Sequence, residues 1–206
     1  MPYAFAKIAF TPNVLDEQKR NGAGQYARFL EADRSGGDVL GAEERSFIEA
    51  RDGFYQATVS ETGWPYVQFR GGAPGFLKAV DDTTIAYADL RGNRQYLSTG
   101  NLRENDRISL ILMDYPNARR LKIWGRAILT DVSHGTQDAL APLLQHTPAE
   151  RIVSIKVEAF DWNCPRHIPQ RLTSQEAGNE IDALRETNAT LRAEINALRK
   201  AAIPTT

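Results

Sequence analysis

Between residues 54 and 130 the chain runs as short apolar or β-branched stretches broken by polar turns. "FYQATVSE" and "PYVQFR" are separated by "TGWP", whose Gly-Trp-Pro suits a turn. "GFLKAV", "TTIAYADL", "RISLILMDY" and "RRLKIWGRAILTD" follow, interrupted by "DD", by "RGNRQYLSTGNL" (91–102) and by "PNAR". Five or six short strands at this spacing predict an antiparallel sheet closed into a barrel. "SLILM" is apolar throughout, which predicts cover on both of its faces. A short helix is expected around 135–147, then a strand over 151–160, "RIVSIKVEAF", with polar and apolar residues mixed on each face.

The two ends have another texture. Segment 42–51, "AEERSFIEAR", has helix-forming composition, with Asp38 or Gly41 near its start. A further helix is expected within 13–32 and a loop over 33–41. From residue 176, Ile181, Leu184, Asn188, Leu191, Ile195, Leu198 and Ala202 recur at alternating spacings of three and four. That is a heptad seam with Ile181, Asn188, Ile195 and Ala202 at a, and Leu184, Leu191 and Leu198 at d. An amphipathic helix lying on its own domain would share this pattern. Asn188 at an a position favours a paired, parallel register, and Glu194 at g would face Arg199 at e of a partner. The expectation is a homodimer, with three heptads adding to an interface made elsewhere. Three segments result: a helical one at 1–52 packed on the barrel, a barrel domain at 53–172 and a heptad helix at 176–203.

Composition narrows the classes. The 206 residues are 42% hydrophobic and 25% charged, ordinary for a globular domain. A formal net charge of −1 argues against a dedicated nucleic-acid or anionic-membrane surface. No apolar run approaches the roughly 20 residues that cross a bilayer, and the N-terminus lacks a basic n-region, so a cytoplasmic protein is expected. Cys164 is the single cysteine, which leaves no intramolecular disulfide, and it is expected to be buried. His134 and His146 have no carboxylate or histidine at ligand spacing, so no metal is assigned.

The polar stretch 91–102 holds more donors than a turn needs. Arg91, Asn93, Arg94, Gln95, Ser98 and Thr99 cluster beside Gly92 and Gly100, which permit close backbone approach to a ligand. Arginine suits bidentate phosphate recognition, and the amides and hydroxyls suit the remaining oxygens. A solvated loop leading into a helix is the plainer alternative. Arg70, Lys78, Arg119, Arg120 and Lys122 on the flanking strands point to a local anion site, although edge-strand charges that discourage aggregation would explain Arg119 and Lys122.

The order "PYVQFRGG…GFLK…AYADLRGNRQYLSTGNL…RISLILMDYP…RRLKIWGRA" resembles the FMN-binding split barrels related to pyridoxamine 5′-phosphate oxidase, in a bacterial subgroup carrying "ATVSETGWPYVQ" and "FDWNCP". The resemblance spans roughly 1–172 and implies a mainly β, β+α fold: a six-stranded antiparallel split barrel with peripheral helices and flavin sites at the interface of a homodimer. Carried over by motif, Lys78 of "GFLK" lies near the flavin, and Tyr87 and Ala88 of "IAYAD" border it. "GNRQ" stands where the family has its Ser-Arg-Lys phosphate loop, giving Asn93, Arg94 and Gln95, with only the arginine retained. Arg120 occupies the place of a ring-binding glutamine, and Arg70 lies near the family's first phosphate arginine. "DWNCPRHIPQR" supplies Trp162 beside the cofactor and Arg166 and His167 toward substrate, although in the vitamin-converting oxidases the arginine and histidine are one residue apart. No match exists for the Tyr-Arg-Ser set that grips the substrate phosphate in those oxidases. The implied function is a flavin-dependent oxidoreductase acting on a small molecule, with no acid–base residue identified. The alternatives are a carrier or redox sensor without turnover, and a split barrel using deazaflavin or haem.

Overall fold

Among the described residues seven strands pair antiparallel into one sheet of order β2-β1-β5-β6-β7-β4-β3. They are β1 (Gly53–Val59), β2 (Pro65–Gly71), β3 (Leu77–Ala79), β4 (Thr84–Leu90), β5 (Arg107–Asp114), β6 (Arg119–Asp131) and β7 (Ala149–Trp162). The structure, a computed structural model, describes residues 1–31, 35–132, 149–162 and 164–201. The helix expected around 135–147, which includes His146, and also His134 and Ala202, lie outside those residues. The chain divides into two units, one of Met1–Asp114 with Arg119–Arg166 and one of Tyr115–Ala118 with His167–Thr206.

Along β1 and β5 buried and more exposed residues alternate. Along β1, Phe54, Gln56 and Thr58 are buried while Tyr55, Ala57 and Val59 point the other way, the period of two that a pleated strand imposes. β1 stands second in the order and β4 sixth, yet Phe54 and Tyr87 meet edge to face with ring centroids 5.4 Å apart. The Tyr87 hydroxyl donates to Gln56 Oε1 at 2.5 Å. Strands so far apart in the ladder touch only when the sheet rolls into a split barrel. Leu77, Ile85, Leu110, Leu121, Ile123 and Ile155 fill its interior and are fully buried, each such side chain contributing about 1.5–3 kcal/mol. β3, three residues long, falls within the expected run "GFLKAV".

β6 and β7 run past each other with one irregularity, a register shift at Trp124 and Gly125. A Cβ at Gly125 would stand 2.3 Å from Lys156 O, so the bulge requires glycine. Outside the barrel, α1 (Tyr3–Ala9) stacks Phe5 on Trp124 at 4.5 Å. α2 (Pro12–Arg20) starts on a proline and stops at Asn21-Gly22, where Gly22 takes φ +72. The helix expected within 13–32 is therefore two pieces, α2 and a 3₁₀ helix over Gly24–Leu30. α3 (Ala42–Glu49) begins where expected: Glu44 Oε2 accepts the Gly41 N–H at 3.0 Å, and Phe47 and Ile48 enter the core.

Two expectations change. In a single chain β5 buries Ile108, Leu110 and Leu112 on one face, but Ile111 on the other is exposed. Cys164 is exposed as well, because it lies beyond the end of β7 among exposed Pro165 and Arg166 rather than in the sheet.

In the second unit, α5 (Ser174–Ala201) is 28 residues long. Thr173 Oγ1 accepts the Glu176 N–H at 3.2 Å and Glu176 Oε2 accepts the Thr173 N–H at 2.8 Å, a reciprocal cap that fixes its start.

Candidate functional site

Two adjoining cavities open where β2, β4 and the loop 91–96 meet, and both are lined by Arg70, Leu90 and Gly92. The first, of about 240 Å³, is polar; Gln68, Asp89, Arg94, Ser98 and Arg151 are among its walls. The second, of about 540 Å³, is mostly apolar, with Phe69, Pro74 and Phe76 beside Lys78, Tyr87 and Ala88.

The polar cavity is organised around a buried carboxylate. Asp89 and Arg151 are cross-strand partners on β4 and β7, and Arg151 Nη1 donates to Asp89 Oδ2 at 2.6 Å. Arg70, from β2, reaches Asp89 Oδ1 at 2.7 Å. One buried negative charge thus holds two guanidiniums, and each charge has the partner that burial demands. Arg151 also donates to Thr99 Oγ1 at 3.3 Å and lies over the Tyr96 ring, 5.2 Å from its centroid. Its basicity is altered chiefly by two opposed effects: desolvation lowers it, while the hydrogen bond and charge of Asp89 more than restore it, so it stays charged. Arg70 Nε is buried and has no hydrogen-bond partner among the described residues.

The loop 91–96 is wound tightly to present its donors. Asn93 Oδ1 accepts the Gln95 N–H at 3.1 Å, an Asx turn. Arg94 and Tyr96 take φ of 64 and 53, left-handed conformations that cost energy for residues with a Cβ. Among the described residues the Arg94 side chain has no ion-pair or hydrogen-bond partner. α4 (Leu97–Glu104) follows directly, and its N-cap residue Tyr96 provides no side-chain cap. The first turn, Leu97 to Thr99, lines the polar cavity, so uncapped helix N–H groups stand at the same place as the three arginines. Of the residues lining the cavity three are arginines and one, Asp89, is a carboxylate, while Arg151 also pairs behind the wall with Glu150 at 3.1 Å and Asp131 at 3.7 Å, so Arg94 and the helix N-terminus carry the positive charge open to an anion.

The apolar cavity is shaped by the 71–75 loop, where Gly75 sits at φ +90. Tyr87 contributes little more than an edge, being only 1% exposed. Burial pushes its hydroxyl well above the ordinary phenol value, against the opposing influence of Arg70, so it remains a neutral donor to Gln56.

Of the residues expected at the site, Arg70, Lys78, Tyr87, Ala88, Asn93, Arg94 and Gln95 line one cavity or the other. Arg120 and Trp162 line neither. Trp162 donates from Nε1 to Glu44 Oε1 at 2.8 Å and meets Phe47 edge to face. Arg120 faces Met113 across the β5–β6 ladder, with its Nε buried and without a hydrogen-bond partner among the described residues. Arg166 and His167 are exposed. Arg119 and Lys122 do not join the anion site: Arg119 pairs with Glu43 at 2.5 Å and Lys122 with Asp161 at 3.1 Å. Gly100 lies inside α4 rather than at a cavity wall. The sequence reading missed Asp89 and Arg151, which stand 62 residues apart. The one signal was a carboxylate ending an apolar strand and an arginine opening another. Among the described residues no group of three or more His, Cys, Asp or Glu is placed to hold a metal ion.

Solved structures with a similar outline include HupZ of Group A Streptococcus, at 14% identity and TM-score 0.49, over 65% of this chain and all of that one. An FMN-binding protein of Syntrophomonas wolfei matches at 15% identity and TM-score 0.44, covering 73% of this chain and 97% of that one. General stress protein 26 of Bacillus anthracis matches at 14% identity and TM-score 0.40, over 57% and 88%. No curated relative matches. The sequence model of the pyridoxamine 5′-phosphate oxidase family aligns with residues 40–161, more than half of the chain and nearly all of the barrel. The chain belongs to the pyridoxamine 5′-phosphate oxidase family.

Proposed function

We propose that this protein binds FMN as a homodimer and acts as an oxidoreductase on a small organic molecule. The observation that carries the reading is the adjacency of the two cavities. Arg70, Arg94, Arg151 and the first turn of α4 suit a terminal phosphate, and the wider apolar cavity next to them suits a planar ring. Gly92 lines both, and a Cβ there would meet nothing within 4 Å, leaving the passage between them open.

FMN, when bound, supplies the two-electron chemistry of such a site. The chain would bind and orient it. Arg94, with Arg70 Nε, would receive phosphate oxygens, while Asp89 keeps Arg70 and Arg151 aimed at the polar cavity. Phe69, Pro74 and Phe76 would exclude water from one side of the ring, and Lys78 would bring positive charge to its edge. Arg120 and Trp162, remote from both cavities within one chain, would reach the ring from the second copy.

The homodimer is supported by the outer face of β2, β1 and β5. Phe69 stands opposite Tyr55, and Tyr55 opposite Ile111, so three exposed apolar side chains form one row across adjacent strands. Val67 and Trp64 extend it, with Trp64 76% exposed. A patch of this kind marks an association surface. Among the described residues no helix is long and apolar enough to cross a membrane, and a cytoplasmic location accompanies this reading.

One observation favours a second reading, a flavin carrier or redox sensor without turnover. Among the described residues Asp89 is the one carboxylate lining either cavity, and two arginines already hold it. Titration with FMN, followed by quenching of flavin fluorescence, tests the shared step. Saturable binding is expected; a protein that leaves the fluorescence unchanged would overturn both readings. Stopped-flow oxidation of the reduced complex by organic acceptors then separates enzyme from carrier.

A further inference from the structure

α5 carries an apolar stripe that a single chain leaves open. Ile181, Leu184, Leu191, Ile195 and Leu198 are between 47% and 69% exposed and recur at heptad spacing. Helices of 28 residues with such a stripe bury it against something. We propose that α5 pairs, parallel and in register, with α5 of a second copy of this chain as a two-stranded coiled coil. The proposal is independent of the flavin reading.

Three features select this occupant and this direction. The apolar a positions that are described are Ile181 and Ile195, and every d position is leucine, the combination that favours two parallel strands. Asn188 occupies the central a position. Parallel and in register, it meets the same residue of the other copy, and each amide can donate to its counterpart. Reversed or shifted, it would face isoleucine or leucine and lose that bond inside an apolar seam.

The flanking charges decide direction independently. Arg185, Arg192 and Arg199 fill all three e positions, and Glu180 and Glu194 fill two of the g positions. In a parallel pair, g of one helix faces e of the next heptad on the other, setting Glu180 against Arg185 and Glu194 against Arg199. In an antiparallel pair e faces e and g faces g, which sets arginine against arginine and glutamate against glutamate. Arg185 now pairs at 3.0 Å with Asp182 on its own helix, and with 76% of its side chain exposed it remains within reach of a neighbouring strand.

The test uses the full chain with Cys164→Ser, so that the exposed native thiol cannot report. Leu184→Cys and Ile195→Cys, a d and an a position that would face each other in an antiparallel pair, are introduced separately, and mild oxidation is read on non-reducing gels. A parallel, in-register coil predicts disulfide-linked dimers from each variant alone and no additional species when the two are mixed. Links that form only in the mixture mean an antiparallel coil, and no links anywhere mean no coil; either overturns the proposal. A second pair reads the charges: Arg185→Glu/Arg199→Glu should reduce self-linking at Leu184→Cys several-fold, and mixing with Glu180→Arg/Glu194→Arg should restore it. Unchanged linking in the charge variants would overturn the assigned register.

Discussion

Arg70 Nη1 and Asp89 Oδ1 stand 2.7 Å apart and tie the edge strand β2 to β4, although the two strands share no ladder. The pair closes the split in the barrel and also orients a cation at the polar cavity. Asp89 is shared with Arg151, so Asp89→Asn takes from largely buried Arg70 its counter-charge and from Arg151 the nearest of three carboxylates, Glu150 and Asp131 remaining. The expected loss is about 3–5 kcal/mol, read as a lower urea midpoint with little change in slope. A variant as stable as the parent would show that the trio contributes nothing to closing the barrel.

Arg94 separates strain from binding. Its φ of 64 favours glycine, so Arg94→Gly should leave folding stability equal or slightly higher. The same change should weaken FMN by about 1.5–3 kcal/mol for each charge-assisted bond lost, or about 10- to 150-fold. Arg94→Ala should lose the same affinity without the backbone relief. Equal FMN affinity in all three proteins, measured by fluorescence titration, would remove Arg94 from the phosphate site.

The Tyr87–Gln56 bond predicts an alkaline weakness. Burial holds the Tyr87 hydroxyl above its ordinary value of 10.0, so the unfolded chain gives up this proton first. Its stabilisation is fully present below about pH 10 and is lost as pH rises further, by up to about 1.4 kcal/mol per pH unit. Denaturant titrations at pH 9 and pH 11 should show this extra loss in the parent and a shallower one in Tyr87→Phe. Identical pH slopes would mean that Tyr87 ionises freely in the fold.

The row Phe69–Tyr55–Ile111 and its neighbour Val67 supply a test of the barrel interface. Val67 is 61% exposed and lines neither cavity, so Val67→Asp should fold normally while disfavouring association. Sedimentation should show a shift toward monomer for Val67→Asp, and a retained dimer for a chain ending at 173. The opposite pattern would make α5 the primary contact.

Gly125 is a packing test remote from the site. A Cβ there meets Lys156 O at 2.3 Å, so Gly125→Ala must displace one strand. A cost of about 1–3 kcal/mol is expected, seen in the thermal midpoint without change in FMN affinity.

The alternating apolar positions of "FYQATVSE" and "TTIAYADL" fix strands and facing by local geometry, which is why the barrel was legible from them. The heptad in α5 was legible for the same reason, since three-and-four spacing puts its apolar residues on one face. The donors of 91–102 were legible as chemistry, because arginine, amide and hydroxyl side chains announce what they bind. What tertiary structure alone decided is which cations converge. Arg70, Asp89 and Arg151 come from three strands, and only the curl of the sheet brings β2 beside β4. The same curl leaves Arg119 and Lys122, equally cationic in the sequence, paired with Glu43 and Asp161 away from the cavities. Side-chain type is local, whereas the meeting of charges depends on long-range closure that no spacing along the chain encodes.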